Sequence, residues 1–312
     1  MQKKTVQKRK INYRRLISKN LENAELWILL LPTLLYFLLF KYVPMFGTVI
    51  AFQDYSITRG VFGSEFIGFE NFVEFLTNYK FFQLLRNTLV ISFMNLLFGF
   101  PLPIILALLL NELRNQKFKK SVQTMSYLPY FISTVVAVGI IKSFVSAEGV
   151  INALRSMVDL PSIQFMTTPK YFPWIYVISG IWQGLGWSSI IYVAAIAGVD
   201  QELYEAAEID GAGRFGKVIF ITVPSIAGTI IVLLIMQIGQ MLTVGYEKII
   251  LLYNPTVYET ADVISTYVYR KGLLEADYGY STAVSMFNSV CNFILLLSAN
   301  GISRKVSGEG LW

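Results

Sequence analysis

The chain has 312 residues, 54% hydrophobic and 15% charged, with a mean hydropathy of +0.54 and a formal net charge of +6. This balance excludes an ordinary soluble domain and fits an all-α polytopic membrane protein. Histidine is absent, which removes a Ser-His-Asp triad, a His-bound zinc and a His proton shuttle; the single cysteine, Cys291, excludes an internal disulfide and a Cys-based metal site.

Residues 1–25 form a basic tail containing Lys3, Lys4, Lys8, Arg9, Lys10, Arg14, Arg15 and Lys19. No small-residue cleavage site follows the next apolar run, and Lys41-Tyr42-Val43-Pro44 comes instead, so residues 26–50 read as an uncleaved first span rather than a signal peptide. Six apolar stretches, at 26–40, 88–110, 124–141, 174–198, 218–244 and 281–302, contain no Asp, Glu, Lys or Arg, and with mixed flanks each is long enough to cross a bilayer. The positive-inside rule keeps the basic tail in the cytoplasm, and alternation places residues 112–120, the acidic segment 200–217 and the tail 304–312 on the same side, where most of the Lys and Arg collect. Both termini are therefore expected inside. That topology accounts for the positive charge without a nucleic-acid partner.

Residues 51–87 form an outside segment in which aromatics alternate with charges, and a short interfacial helix is expected there. Pro101 and Pro103 should kink the second span. Pro161, Pro169 and Pro173 argue against a long helix in the outside loop 147–171. Gly180 and Gly184 are spaced as GxxxG, and Ala194 and Gly198 repeat the small-xxx-small pattern, which predicts close helix packing. The longest outside loop, 243–280, mixes Tyr246, Tyr253, Tyr258, Tyr267, Tyr269, Tyr278 and Tyr280 with charges of both signs. Such a surface suits either a protein or sugar contact or an aromatic belt at the lipid interface.

The most informative segment is Glu205-Ala206-Ala207-Glu208-Ile209-Asp210-Gly211-Ala212, followed at Pro224 by a new apolar stretch. Asp200, Glu202, Glu205, Glu208 and Asp210 have no Lys or Arg among them, so the glutamates repel one another at i,i+3 spacing and Asp210 meets the negative end of the helix dipole. A basic partner would relieve that repulsion. Leu203, Ala206 and Ala207 supply a narrow stripe of mostly small apolar side chains, suited to a groove on another protein. Gly211 is the expected hinge, because glycine tolerates positive φ.

Residues 211–217 match G-x-G-x-x-G and G-x-x-x-x-G-K at once. A dinucleotide fingerprint must follow a strand, and a phosphate loop needs Ser or Thr where Val218 stands, so a structural turn is the better reading. No catalytic constellation and no metal site emerge. Without an ionisable group in the spans, a proton-driven carrier is disfavoured. The polar residues left within the spans are Asn95, Gln183, Gln237, Gln240, Asn288 and Asn292, with Trp182 and Trp187 nearby. They serve either interhelical hydrogen bonding or contact with a neutral, hydroxyl-rich solute.

The acidic segment, with Ile221 and Pro224 after it, resembles the EAA loop of binding-protein-dependent ABC importer permeases, although Val218 departs from the aromatic often found there. Gly68-Phe69-Glu70-Asn71-Phe72, Arg86-Asn87-Thr88-Leu89, Tyr127-Leu128-Pro129, residues 260–269 and Gly279-Tyr280 are similar to the maltose-type sugar permeases, in particular the polysaccharide and complex-oligosaccharide branch. The resemblance implies a type I importer half with a cytoplasmic elbow before the first span and a five-helix core at 88–303, in a bacterial cell membrane. It implies that Glu205, Ala206, Ala207, Asp210, Gly211 and Ala212 contact or shape the contact with an ATPase, and that Pro224 starts the following helix. It also implies a second permease, favoured to be a different chain, two ATPase subunits carrying ATP and Mg, an extracellular solute-binding protein and a sugar substrate; the chain itself would hold no cofactor. The competing readings are a channel or facilitator whose acidic helix binds a regulatory protein, and an intramembrane enzyme.

Overall fold

A segment that crosses hydrocarbon has to satisfy its own backbone hydrogen bonds, which selects helices. The computed structural model describes residues 24–312, and helices dominate them; the basic tail lies outside the described residues apart from Ala24 and Glu25. In chain order the elements are α1 (Glu25–Phe52), a two-residue antiparallel pair β1 (Gln53–Asp54) and β2 (Glu65–Phe66), α2 (Glu70–Thr77), α3 (Phe81–Glu112) and α4 (Gln116–Tyr127). Then come α5 (Thr134–Ser156), α6 (Pro169–Ala197), α7 (Gln201–Ile209), α8 (Arg214–Ser225), α9 (Ala227–Ile238), α10 (Tyr246–Leu252), α11 (Ile264–Tyr269) and α12 (Tyr278–Ser307). Helices α1, α3, α5, α6 and α12 are long and apolar enough to span a membrane, and the bent pair α8–α9 supplies a sixth crossing if taken as one.

Several sequence expectations change. The third span is not 124–141 but α5, because Pro129 ends the polar helix α4 in a 3-10 turn at Leu128–Phe131 and Ser133 accepts a bond from the Val136 N–H to start a new helix. It is also not charge-free, since Lys142 and Arg155 lie on it. The fifth span is not one helix: α8 and α9 meet at Ile226 with a bend of 61°. Pro224 sits in the first turn of the short α-helical stretch Val223–Ser225 that ends α8, just ahead of the bend. Its missing N–H and the π turn at Val218–Thr222 loosen the ladder there. Finally, α3 begins at Phe81, inside the segment expected to be outside, and α12 runs to Ser307, into the expected tail. Pro101 follows a π turn at Asn95–Gly99 within α3, which absorbs the proline without ending the helix.

The glycines of α6 have exchanged roles relative to expectation. A β-carbon on Gly184 would meet nothing within 4 Å, and one on Gly180 would meet only the Lys248 ammonium, so this GxxxG packs against no helix among the described residues. Close crossing occurs instead at Gly186, where a β-carbon would fall 2.1 Å from the Ser126 carbonyl of α4. Helix α1 stands apart, with no buried residue in its apolar window, and its exposed leucines and phenylalanines form a lipid-facing surface.

Candidate functional site

Helix α7 projects from the Ala197 end of α6. Asp200 caps it by accepting from the Glu202 N–H at 3.0 Å, and its carboxylate also favours the positive helix N-terminus. At the other end Gly211 takes φ +80°, so the Ala212 N–H reaches the Ala207 carbonyl (2.8 Å) and closes the helix. No strand precedes the glycines, in keeping with a structural turn. Only Tyr204 and Ala207 are partly buried; Glu202, Leu203, Glu205, Ala206, Glu208 and Asp210 are exposed.

Two side-chain contacts fasten α7 to the body. Tyr204 Oη pairs with Thr222 Oγ1 at 2.9 Å, and Lys217 Nζ reaches Glu208 Oε2 at 3.0 Å. The acidic repulsion expected from sequence is thus partly relieved from within, by a lysine beyond the acidic run. Glu202, Glu205 and Asp210 form no ion pair among the described residues. Beside them Ile209 and Phe215 are 88% and 78% exposed, so charge and apolar area share one surface. A cleft of about 570 Å³ between this helix and the end of α3 is lined by Glu112, Arg114, Tyr204, Glu208 and Lys217.

The opposite end of α6 is built by the loop 243–280. Two of its seven tyrosines belong to the core: Tyr267 and Tyr280 are buried, share a hydrogen bond of 3.1 Å and pack with Phe75, Leu84 and Val284, while the other five are exposed or half-buried. Asn87 Nδ2 donates to the carbonyls of Glu259 and Asp262, both at 2.9 Å, and Thr88 Oγ1 accepts from the Ile264 N–H at 3.1 Å. Asp262 accepts from Arg270 Nη1 (2.8 Å) and from Thr266 Oγ1 (2.7 Å). Burial opposes the charge of Arg270, but the Asp262 hydrogen bond and charge outweigh it, and the guanidinium pKa is raised. Asn71 likewise holds the Ala51 carbonyl (2.9 Å) at the end of α1, and Gly279 fits where a β-carbon would lie 2.8 Å from the Gln53 carbonyl. The segments that carried the family resemblance on this side are fastening points between distant parts of the chain.

Between the two ends lies a cavity of about 570 Å³ lined by Asn95, Gly99, Gly180, Gly184, Trp187 and Gln237. A second, of about 220 Å³, shares Asn95 and Gln237 and adds Tyr176 and Gln240. Asn95 and Gln237 thus line both cavities, with Trp187 on the larger and Gln240 on the smaller. Gln183 lines a neighbouring opening while donating to the Ile132 carbonyl at 3.0 Å. Trp182 lies elsewhere, in an apolar groove with Phe144 and Trp174. Asn292 is buried, accepts from the Leu242 N–H (2.9 Å) and donates to Thr243 Oγ1 (2.8 Å), which ties α12 to the chain after α9. The Asn288 Oδ1 atom is buried without a partner among the described residues.

Lys248 was not singled out from sequence. It lies on α10, 5.3 Å above the Tyr176 ring, and burial lowers its pKa to about 8. Nothing in the loop's composition marks it, because its depth depends on α10 folding back between α5, α6 and α11.

The helical bundle thus holds a largely apolar cavity bearing the amides Asn95 and Gln237, and carries an exposed acidic helix at one end, the layout of a membrane transport permease. Residues 99–308 match the family described as "Binding-protein-dependent transport system inner membrane component", and the chain belongs to that family. It is 47% identical over 288 residues to Protein LplB of Bacillus subtilis (strain 168), covering 92% of this chain and 91% of that one. It is 45% identical over 300 residues to the polygalacturonan/rhamnogalacturonan transport system permease protein YteP of the same organism, covering 96% and 94%. A chain of a bacterial alginate ABC transporter, solved with an alginate pentasaccharide-bound periplasmic protein, superposes with a TM-score of 0.87 at 44% identity over 95% of this chain and all of that one. The fold is that of an ABC-transporter permease, and the chain is a multi-pass membrane transport component rather than an enzyme.

Proposed function

We propose that the chain is one permease subunit of an ATP-driven importer for an oligosaccharide or polysaccharide fragment. A second permease of different sequence completes the pathway, two ATPase subunits bind ATP and Mg, and an extracellular binding protein delivers the sugar. The acidic end and both termini face the cytoplasm. The observation that carries this reading is α7 itself, an exposed acidic helix fastened by the Tyr204–Thr222 hydrogen bond, the Glu208–Lys217 ion pair and the packing of Tyr204. Such a helix suits a basic groove on an ATPase. Its displacement passes through the Gly211 turn into α8 and across the 61° bend to α9, whose Gln237 lines both cavities. Amides along that path exchange hydrogen bonds with sugar hydroxyls without holding a fixed charge. The names of the relatives, one a polygalacturonan/rhamnogalacturonan permease and another from an alginate transporter, support the carbohydrate class.

Glu205→Lys should abolish uptake and weaken co-purification with the ATPase. Unchanged uptake and an intact complex would refute the coupling role. Labelling of a cysteine placed at Glu205 from the cell exterior would refute the orientation.

A further inference from the structure

One face of α6 carries Tyr176, Gly180, Gly184 and Trp187, spaced i, i+4, i+8 and i+11, so the four positions form a single stripe roughly 16 Å long. Gly180, Gly184 and Trp187 line the larger cavity and Tyr176 the smaller. Trp187 stacks on Tyr130 with ring centroids 4.5 Å apart and planes within 3°, and it remains 43% exposed. The glycines leave the middle of the stripe without side chains, so the backbone there is open to a bound molecule.

Lys248 closes the Tyr176 end of this stripe. Its ammonium lies over the Tyr176 ring and 3.6 Å from where a β-carbon of Gly180 would be. The helix that carries it is anchored by Ile249 and Leu252, both fully buried, which fixes the base of the lysine side chain. Arg270, Lys217 and Lys271 hold the carboxylates of Asp262, Glu208 and Glu275, whereas Lys248 holds none among the described residues. A partly desolvated cation over an aromatic face, beside an open glycine floor, is a seat for an anionic group.

We propose that Lys248, at the end of the Tyr176–Gly180–Gly184–Trp187 stripe, binds a carboxylate of an acidic oligosaccharide in the sugar path. The proposal rests on the importer reading and narrows its substrate to uronate-containing chains. Sugar rings lie against Trp187 and the glycine floor, hydroxyls meet Asn95 and Gln237, and the carboxylate sits at the ammonium. Without Lys248 a carboxylate entering the same place loses this charge-assisted partner.

The test uses the complete complex in proteoliposomes, with its partner permease, ATPase and binding protein. The probes are trimers of galacturonate, mannuronate and guluronate, together with the same trimers after reduction of their carboxylates to hydroxymethyl groups. Uptake and sugar-stimulated ATP hydrolysis are expected with a uronate trimer. Lys248→Met should lower uptake of that trimer about 10- to 100-fold, the range of a lost charge-assisted hydrogen bond. Lys248→Arg, which keeps the charge but not the compact ammonium, should retain more uronate uptake than Lys248→Met. A complex that transports reduced trimers but no uronate overturns the assignment of Lys248 and leaves the importer reading standing. Equal loss of acidic and reduced trimers in Lys248→Met also overturns it, assigning the ammonium to a carboxylate of the second permease. Undiminished uronate uptake by Lys248→Met overturns it directly. Absence of uptake and of stimulated hydrolysis with every probe, including neutral oligosaccharides, sinks the importer reading itself.

Discussion

The two ends of α6 are built on opposite rules. At the Pro169 end, loop 243–280 buries its polar groups and satisfies them: Asp262 meets Arg270 and Thr266, Asn87 holds two carbonyls, and Tyr267 meets Tyr280 among apolar neighbours. At the Ala197 end, α7 leaves its acids in the open, and only Tyr204 and Lys217 tie its side chains to the body. A buried polar network fixes one arrangement, because any member left without its partner is costly. An exposed charged helix fixes little within the chain and keeps its surface for another molecule. The first end therefore serves as scaffold for the cavity and the second as a handle on it.

Substitutions should break this contrast in order of size. Arg270→Met leaves the buried Asp262 carboxylate without its cation, and should lower stability by about 3–5 kcal/mol, read as a large fall in the thermal midpoint of the purified protein. Asn87→Ala removes two donors from buried carbonyls, and should lower stability by about 1–3 kcal/mol in the same assay. Gly211→Val forces a β-branched residue to φ +80°, at a local cost of about 1–2 kcal/mol. Because that strain falls in the α7–α8 turn, it should reduce transport more than it reduces the thermal midpoint. Glu208→Gln removes only an exposed ion pair, and should change stability by less than about 1 kcal/mol. A large destabilisation by Glu208→Gln, or none by Arg270→Met, would erase the distinction between handle and scaffold.

The acidic helix was legible because its information is local: small and charged residues in an uninterrupted acidic run, and glycine at the turn where φ is positive. The fifth span was not, since its composition reads as one apolar run, whereas the chain bends by 61° at Ile226, just past the π turn and Pro224. The polar residues within the spans divided in the same way. Asn95 and Gln237 line the cavities, Asn292 is a fastening, and Trp182 faces an apolar groove, a sorting that periodicity alone could not make. The tyrosine-rich loop misled because tyrosine suits a lipid interface, a sugar site and a hydrogen-bonded core alike.

The sequence by itself determined that this chain crosses a membrane several times and presents an acidic helix between two apolar runs, because hydropathy, charge and capping act over a few neighbouring residues. Only the tertiary structure decided that Lys248 folds back over Tyr176, that the Gly180–Gly184 face stays open and that Asp262 meets Arg270. Those outcomes depend on contacts between segments far apart in the chain, whose cost in loop closure and reward in packing are set by the whole bundle.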